Sequence, residues 1–179
     1  MGVLRIHRPV KLFVSLITSR QGLSGEVEKR LINLFGPIDL RSGPFPFDST
    51  HYYDDEMGVP LQRCFFSFAD LTDPLRIPGA KTATNEIEIQ FAKEHAAVFR
   101  PVNLDPGYME ESKIVLASTK NFYHRILVSP GIYAEVTMHF EGGDWRYLPW
   151  TFPDFRTGRY HPFFKGMRQI YRRQLKTLE

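Results

Sequence analysis

Between Pro101 and Arg125 the chain reads PVNLDPGYMEESKIVLASTKNFYHR. No other stretch sets so many chemically able side chains beside such clear turn punctuation. Asn103, Asp105, Lys113, Thr119, Lys120, His124 and Arg125 flank two short apolar segments. Lysines and an arginine near a glycine turn can hold a phosphate or a carboxylate. Asp105-Pro106-Gly107 reads as a turn, and an Asp opening a turn is explained by hydrogen bonds to backbone amides. Asn103, two residues earlier, falls on the same strand face as Asp105.

Further on, Ile132, Ala134, Val136, Met138 and Phe140 alternate as the core face of a strand, leaving Tyr133, Glu135, Thr137 and His139 on the other. That second face is either solvent surface or the floor of a site, and solvent is the default for an antiparallel meander. His124 or Arg125 on the neighbouring strand would then stand across from Glu135 or Thr137. If the set is catalytic, Glu135 or Asp105 is the acid/base candidate, and Lys120 or Arg125 would stabilise negative charge.

Several chemistries are excluded by what the sequence lacks. It has no GxxxxGK[ST], GxGxxG, GxSxG, HExxH or paired CxxC motif. The six histidines show no close ligand spacing, so no structural zinc site is expected and no metal ligand is assigned. A Mg²⁺ held by carboxylates such as Asp105, Glu86, Glu88 or Glu135 would leave little trace in sequence. Cys64, the single cysteine, sits in the apolar run Cys64-Phe65-Phe66 and reads as an inert core thiol. One cysteine and no apolar run approaching about 18 residues predict a soluble, cytoplasmic protein without a membrane partner.

The elements that must position these residues follow from patterning. At 179 residues, 42% hydrophobic and 24% charged, the chain predicts one globular domain over residues 1–179. Val10 to Thr18 is a near-continuous apolar run, as in a strand covered on both faces. A helix follows, with Ser24 as N-cap, Val27, Leu31, Leu34 and Phe35 inward, and Gly36-Pro37 as the stop. Ile38 to Leu40 is a short strand, and Gly43 to Pro60 an aromatic, proline-punctuated loop. Leu61 to Leu71 is a strand, Ala80 to His95 a helix, and Val98 to Leu104 a strand. On that second helix Lys81, Asn85 and Glu88 share a face. The order β-α-β-β-α-β is the ferredoxin-like pattern.

A meander of strands follows, with turns at Ser129-Pro130-Gly131 and Gly142-Gly143. Tyr160 to Leu178 closes the chain as an amphipathic helix, with Tyr160, Phe163, Phe164, Met167, Ile170, Tyr171 and Leu178 inward. The fold class is therefore α+β: a ferredoxin-like first half, an antiparallel β-meander and a C-terminal amphipathic helix on one mixed sheet.

Charge is uneven. From Arg156 to Glu179 there are seven Lys or Arg and one acid, against sixteen basic and nineteen acidic residues elsewhere. Lys165, Arg168, Arg172 and Lys176 form one stripe on the last helix, a candidate contact for RNA or another polyanion.

PFPFDSTHYYDDEMG (44–58), KTATNEIE (81–88), VNLDPGY (102–108), KIVLASTK (113–120), HRI with GIYAEVT (124–137) and PWTFPDF (149–155) together resemble the bacterial domain-of-unknown-function family 4416. The resemblance spans nearly the whole chain and implies a single-domain cytoplasmic protein of this length. Some members of the family carry a GTP-binding label. The nearest thing here to a guanine-reading TKxD is Thr119-Lys120-Asn121-Phe122, which lacks the Asp.

Two expectations result. One is a composite cleft for a small anionic or nucleotide-like ligand, lined by Asn103, Asp105, Lys113, Lys120, His124, Arg125 and Glu135. Asn85 and Glu88 would join from the second helix, with Trp150 and Tyr52 or Tyr53 as walls. The other is a non-catalytic module that binds RNA or a protein through the basic helix.

Overall fold

The computed structural model describes residues 2–3, 6–95 and 98–178. Its centre is strand β1 (Val10–Thr18), buried at every position. Side chains alternate across a strand, so β1 feeds two cores at once. Leu12, Val14 and Leu16 pack with Val27 and Leu31 of helix α1 (Ser24–Phe35) and with Ile87 and Phe91 of a later helix, α3 (Ile77–Glu94). Phe13 packs on the opposite face with Phe163, Phe164, Met167 and Tyr171 of the C-terminal helix α5 (His161–Lys176). The α+β molecule is thus three layers, helices covering both faces of one sheet. No helix among the described residues is long and apolar enough to cross a membrane.

The other strands are β2 (Ile38–Arg41), β3 (Phe45–Pro46), β4 (Gln62–Thr72), β5 (Asn103–Met109), β6 (Lys113–Ser118), β7 (Ile126–Ser129), β8 (Ile132–Glu141) and β9 (Asp144–Tyr147). They run in the order β2-β4-β1-β5-β6-β8-β7, with β3 paired to β4 and β9 to β8. Every pairing among the described residues is antiparallel. The expected mixed sheet is corrected, because β4 lies between β1 and β2, the strands that α1 joins. Two short helices complete the chain, α2 (Asp54–Met57) and α4 (Pro153–Arg156).

Several local expectations change. Helix α3 starts at Ile77, with Pro78 in its first turn, where a missing N–H costs nothing. Leu34 and Leu178 are exposed, and Leu175 takes the inward place expected of Leu178. Most consequential is β5, which lies five residues later than the predicted strand and contains Asp105-Pro106-Gly107 instead of turning there. Gly107 is required at its position. A Cβ there would lie 2.5 Å from the Val115 carbonyl oxygen and 2.7 Å from Phe13 Cζ.

Strand β8 also departs from simple alternation. Ile114 pairs with Met138 but Val115 pairs with Val136, so Thr137 is one extra residue on β8. Such a bulge shifts the alternation by one. Ile132 faces the α1/α3 core, whereas Met138 and Phe140 pack toward α5. Glu135 and Thr137, expected at the solvent face, are buried.

Candidate functional site

The site begins where two neighbouring strands part. β5 stays paired with β1 from Met109 back to Asn103, but pairs with β6 only from Gly107 to Met109. Before Gly107 the β5 edge has lost its ladder partner. Buried backbone groups need partners, and α3 provides them. Lys81 Nζ donates to the Leu104 carbonyl at 2.8 Å, and the Leu104 N–H donates to Glu88 Oε1 at 2.8 Å. Two side chains seven residues apart on one helix face thus stand in for a missing strand. Pro106 has no N–H, and the β6 ladder begins only after it.

The parted strands open onto a cavity of about 610 Å³, within the usual range for small-molecule sites. Its lining converges from separate parts of the chain. Lys81 and Asn85 come from α3, Asn103 and Asp105 from β5, Arg63 from β4 and Glu135 from β8. Tyr52 and Tyr53 come from the long loop, Lys120, His124 and Arg125 from the β6–β7 connection, and Trp150 and Asp154 from the segment before α5. Tyr52, Phe122 and Phe152 remain partly exposed at this lining.

Charge in the lining is mostly paired. Asp105 Oδ1 is 3.1 Å from Lys81 Nζ, and its Oδ2 accepts from Asn103 Nδ2 at 2.7 Å. Burial alone would raise the Asp105 pKa, but Lys81, Arg63 and Asn103 together hold it below the usual range. Burial raises the pKa of Glu88 despite Lys81 and Arg100, whose guanidinium lies 2.8 Å from Glu88 and also donates to Asn103 Oδ1. Arg63 is 4% exposed, pairs with Asp154 at 2.9 Å and donates to Ser15 Oγ. Tyr160 holds the same Asp154 oxygen, Oδ2, at 2.9 Å. Desolvation pushes the Tyr53 hydroxyl up to about 12, so it remains a neutral donor at ordinary pH.

A second cluster sits on β8. Glu135 Oε2 accepts from Arg125 Nε at 2.6 Å and lies 3.0 Å from His124 Nε2. The His124 ring stacks on Trp150 at 5.2 Å between centroids, with 10° between planes. The bulge explains how Trp150 reaches it. Trp150 Nε1 donates to the Val136 carbonyl and Thr151 Oγ1 to the Thr137 carbonyl, pinning the 150–151 segment where the β8 ladder is interrupted.

Of the candidates read from the sequence, Asn85, Asn103, Asp105, Lys120, His124, Arg125, Glu135 and Trp150 come together at this cavity. Glu88 lies behind it, bonded to the β5 backbone. Lys113 is at the far end of β6, paired with Glu110 at 2.9 Å, and does not reach it. The sequence reading passed over Arg63, Arg100 and Asp154. The available signal was a lone charge within an apolar or aromatic run, LQRCFF for Arg63 and PWTFPDF for Asp154. Lys11 in VKLFVSLIT carries the same signal. It is fully buried, with Nζ donating to Asp39, Gln174 and the Phe68 carbonyl.

The basic stripe on α5 is largely engaged locally. Lys165 pairs with Asp144 and Arg172 with Glu111, while Arg168 lies 3.7 Å over the Phe140 ring. Glu26, Glu94 and His95 are the one grouping of metal-ligand type among the described residues. Arg30 bonds both of those carboxylates, so a guanidinium already balances the charge there. Burial raises the Cys64 thiol to about 11, so it is protonated and unreactive at neutral pH.

Residues 8–171 match the family model described as a domain of unknown function (DUF4416). Comparison with curated proteins and with solved structures gives no match.

Proposed function

For a chain that belongs to the DUF4416 family, we propose that the cavity between β5 and β6 binds a small anionic ligand of the phosphate-ester or nucleotide type. The observation that carries this reading is Lys120. Its only polar side-chain partner among the described residues is the Tyr52 hydroxyl, 2.8 Å away, and no carboxylate neutralises it. Of the five cationic side chains in the lining, Arg63 pairs with Asp154, Lys81 with Asp105, Arg125 with Glu135 and Arg100 with Glu88 behind it, which leaves Lys120 without a carboxylate among the described residues. An anion beside Lys120 and Arg125 would restore balance, and the aromatic lining of Tyr52, Phe122 and Phe152 suits a planar group.

A ferredoxin-like reading of the first half rests on the order β2-β4-β1-β5 with α1 and α3 packed on one face. On that reading the cavity lies where the fourth strand leaves its unit and meets the meander. A cytoplasmic setting is read from the lone Cys64. RNA or protein binding through α5 is the weaker reading, since much of its charge is met within the chain.

A thermal-shift screen of nucleotides, sugar phosphates and inorganic phosphate tests the proposal. Ligand binding should raise Tm in a concentration-dependent way, and Lys120→Ala should reduce the shift. No shift with any phosphate would refute it.

A further inference from the structure

His124 and Glu135 hold each other through one atom apiece and leave the other atom buried and unpaired. With Nε2 of His124 directed at Glu135 Oε2, the second ring nitrogen, Nδ1, has no hydrogen-bond partner among the described residues. Glu135 Oε1 has none either. The two side chains are 7% and 2% exposed. Both line the cavity. Buried polar atoms left unpaired are costly. The other such atom in this lining, Arg63 Nε, at least has the Asp154 carboxylate 2.9 Å away, whereas these two have nothing among the described residues.

The pattern of donors sharpens what is missing. Arg125 and His124 both direct a nitrogen at the same carboxylate oxygen, Oε2. With the Nε2 hydrogen directed at Glu135, a neutral imidazole presents Nδ1 as an acceptor. Carboxylate Oε1 is an acceptor as well. The vacant chemistry is therefore a donor with no negative charge of its own, which a phosphate group cannot supply and a hydroxyl can. Lys120 and Arg125 belong to the same β6–β7 connection as His124, so anion and hydroxyl would be read side by side.

Resting on the anion-binding reading above, we infer that the ligand is a hydroxylated phosphate ester, and that His124 and Glu135 select it by accepting hydrogen bonds from its hydroxyl groups. Sugar phosphates and nucleoside phosphates share this chemistry. The stacked Trp150 and the Glu135 contact hold the imidazole in one orientation, so His124 is prearranged to accept. Loss of the hydroxyl leaves both acceptors unpaired, the situation in which discrimination is strongest.

The test is calorimetric titration of the full chain with ribose 5-phosphate, adenosine 5′-monophosphate, its 2′,3′-dideoxy analogue, methyl phosphate and inorganic phosphate. The inference expects the hydroxylated esters to bind about tenfold to a hundredfold more tightly than their hydroxyl-free counterparts. Tighter binding of the nucleotide than of ribose 5-phosphate identifies a nucleoside phosphate as the source, and the reverse a sugar phosphate. In Glu135→Gln and His124→Gln the preference should collapse while residual phosphate binding persists. The comparison among ligands on the wild-type chain stands even if a variant does not fold. Equal affinity for hydroxylated and dideoxy ligands overturns the inference but leaves anion binding intact. Absence of binding by every phosphate overturns both.

Discussion

Replacing Lys81 by methionine should destabilise the fold severely, and replacing its partner as well should recover part of the loss. Lys81 is 3% exposed, and its ammonium serves the Leu104 carbonyl and the Asp105 carboxylate at once. Lys81→Met keeps the aliphatic stem but strands a buried carboxylate, which typically costs about 3–5 kcal/mol. It also orphans a buried carbonyl on the unpaired β5 edge, a further cost of about 1–3 kcal/mol if the two add. Asp105 has some access to the cavity, with its side chain 27% exposed. Water entering there should hold the total near the lower figure, about 3–4 kcal/mol. For a chain of this size that is a fall in Tm of about 6–16 °C. Urea denaturation of wild type, Lys81→Met, Asp105→Asn and the double variant measures it as a double-mutant cycle. The double variant should be more stable than Lys81→Met alone, because the stranded charge is gone. A Lys81→Met cost below about 1 kcal/mol, or an additive cycle, would refute the role given to α3 as a substitute strand.

Other perturbations test neighbouring parts of the account. Gly107→Ala should cost at least about 1–3 kcal/mol, since the new methyl meets a backbone oxygen that cannot step aside; equilibrium unfolding reads this directly. Leu175→Ala should cost about 2–5 kcal/mol and Leu178→Ala less than about 0.5 kcal/mol, a contrast that follows from their burial in the core and exposure beyond the helix end. Acid should also expose the state of Asp105. Its folded-state pKa lies below the unfolded value of about 3.9, so its contribution is present above that pH and lost as pH falls through the folded value. Asp105→Asn should therefore flatten the stability profile below about pH 4. Glu88 has the opposite sign, being raised by burial, and its contribution fades as pH rises through its folded-state pKa, so Glu88→Gln should bend the profile in the opposite sense to Asp105→Asn.

How far the sequence spoke depended on whether a feature was local. The spacing of Lys81, Asn85 and Glu88 shows a shared helix face, and β1 shows its double burial in its apolar run. The doubled glycine hairpin was equally readable, with Gly142 and Gly143 both at positive φ. Asp105-Pro106-Gly107 misled because turn chemistry is a local preference, and here β1 on one side and α3 on the other supply what a strand needs. The Thr137 bulge left no mark, since an inserted residue is invisible until the partner strand is present. Arg63 and Asp154 are ninety-one positions apart and meet only in the folded chain. Lys113 is close in sequence to the residues of the site, yet it stands at the opposite end of its strand.

The most direct measurement is an amide chemical-shift map of the full chain titrated with adenosine 5′-monophosphate. Ligand in the β5–β6 cavity predicts perturbations concentrated at residues 81–85, 103–105, 118–125 and 150–154, with residues 165–176 of α5 unmoved. Perturbations confined to α5, or none at any ligand concentration, would contradict the account.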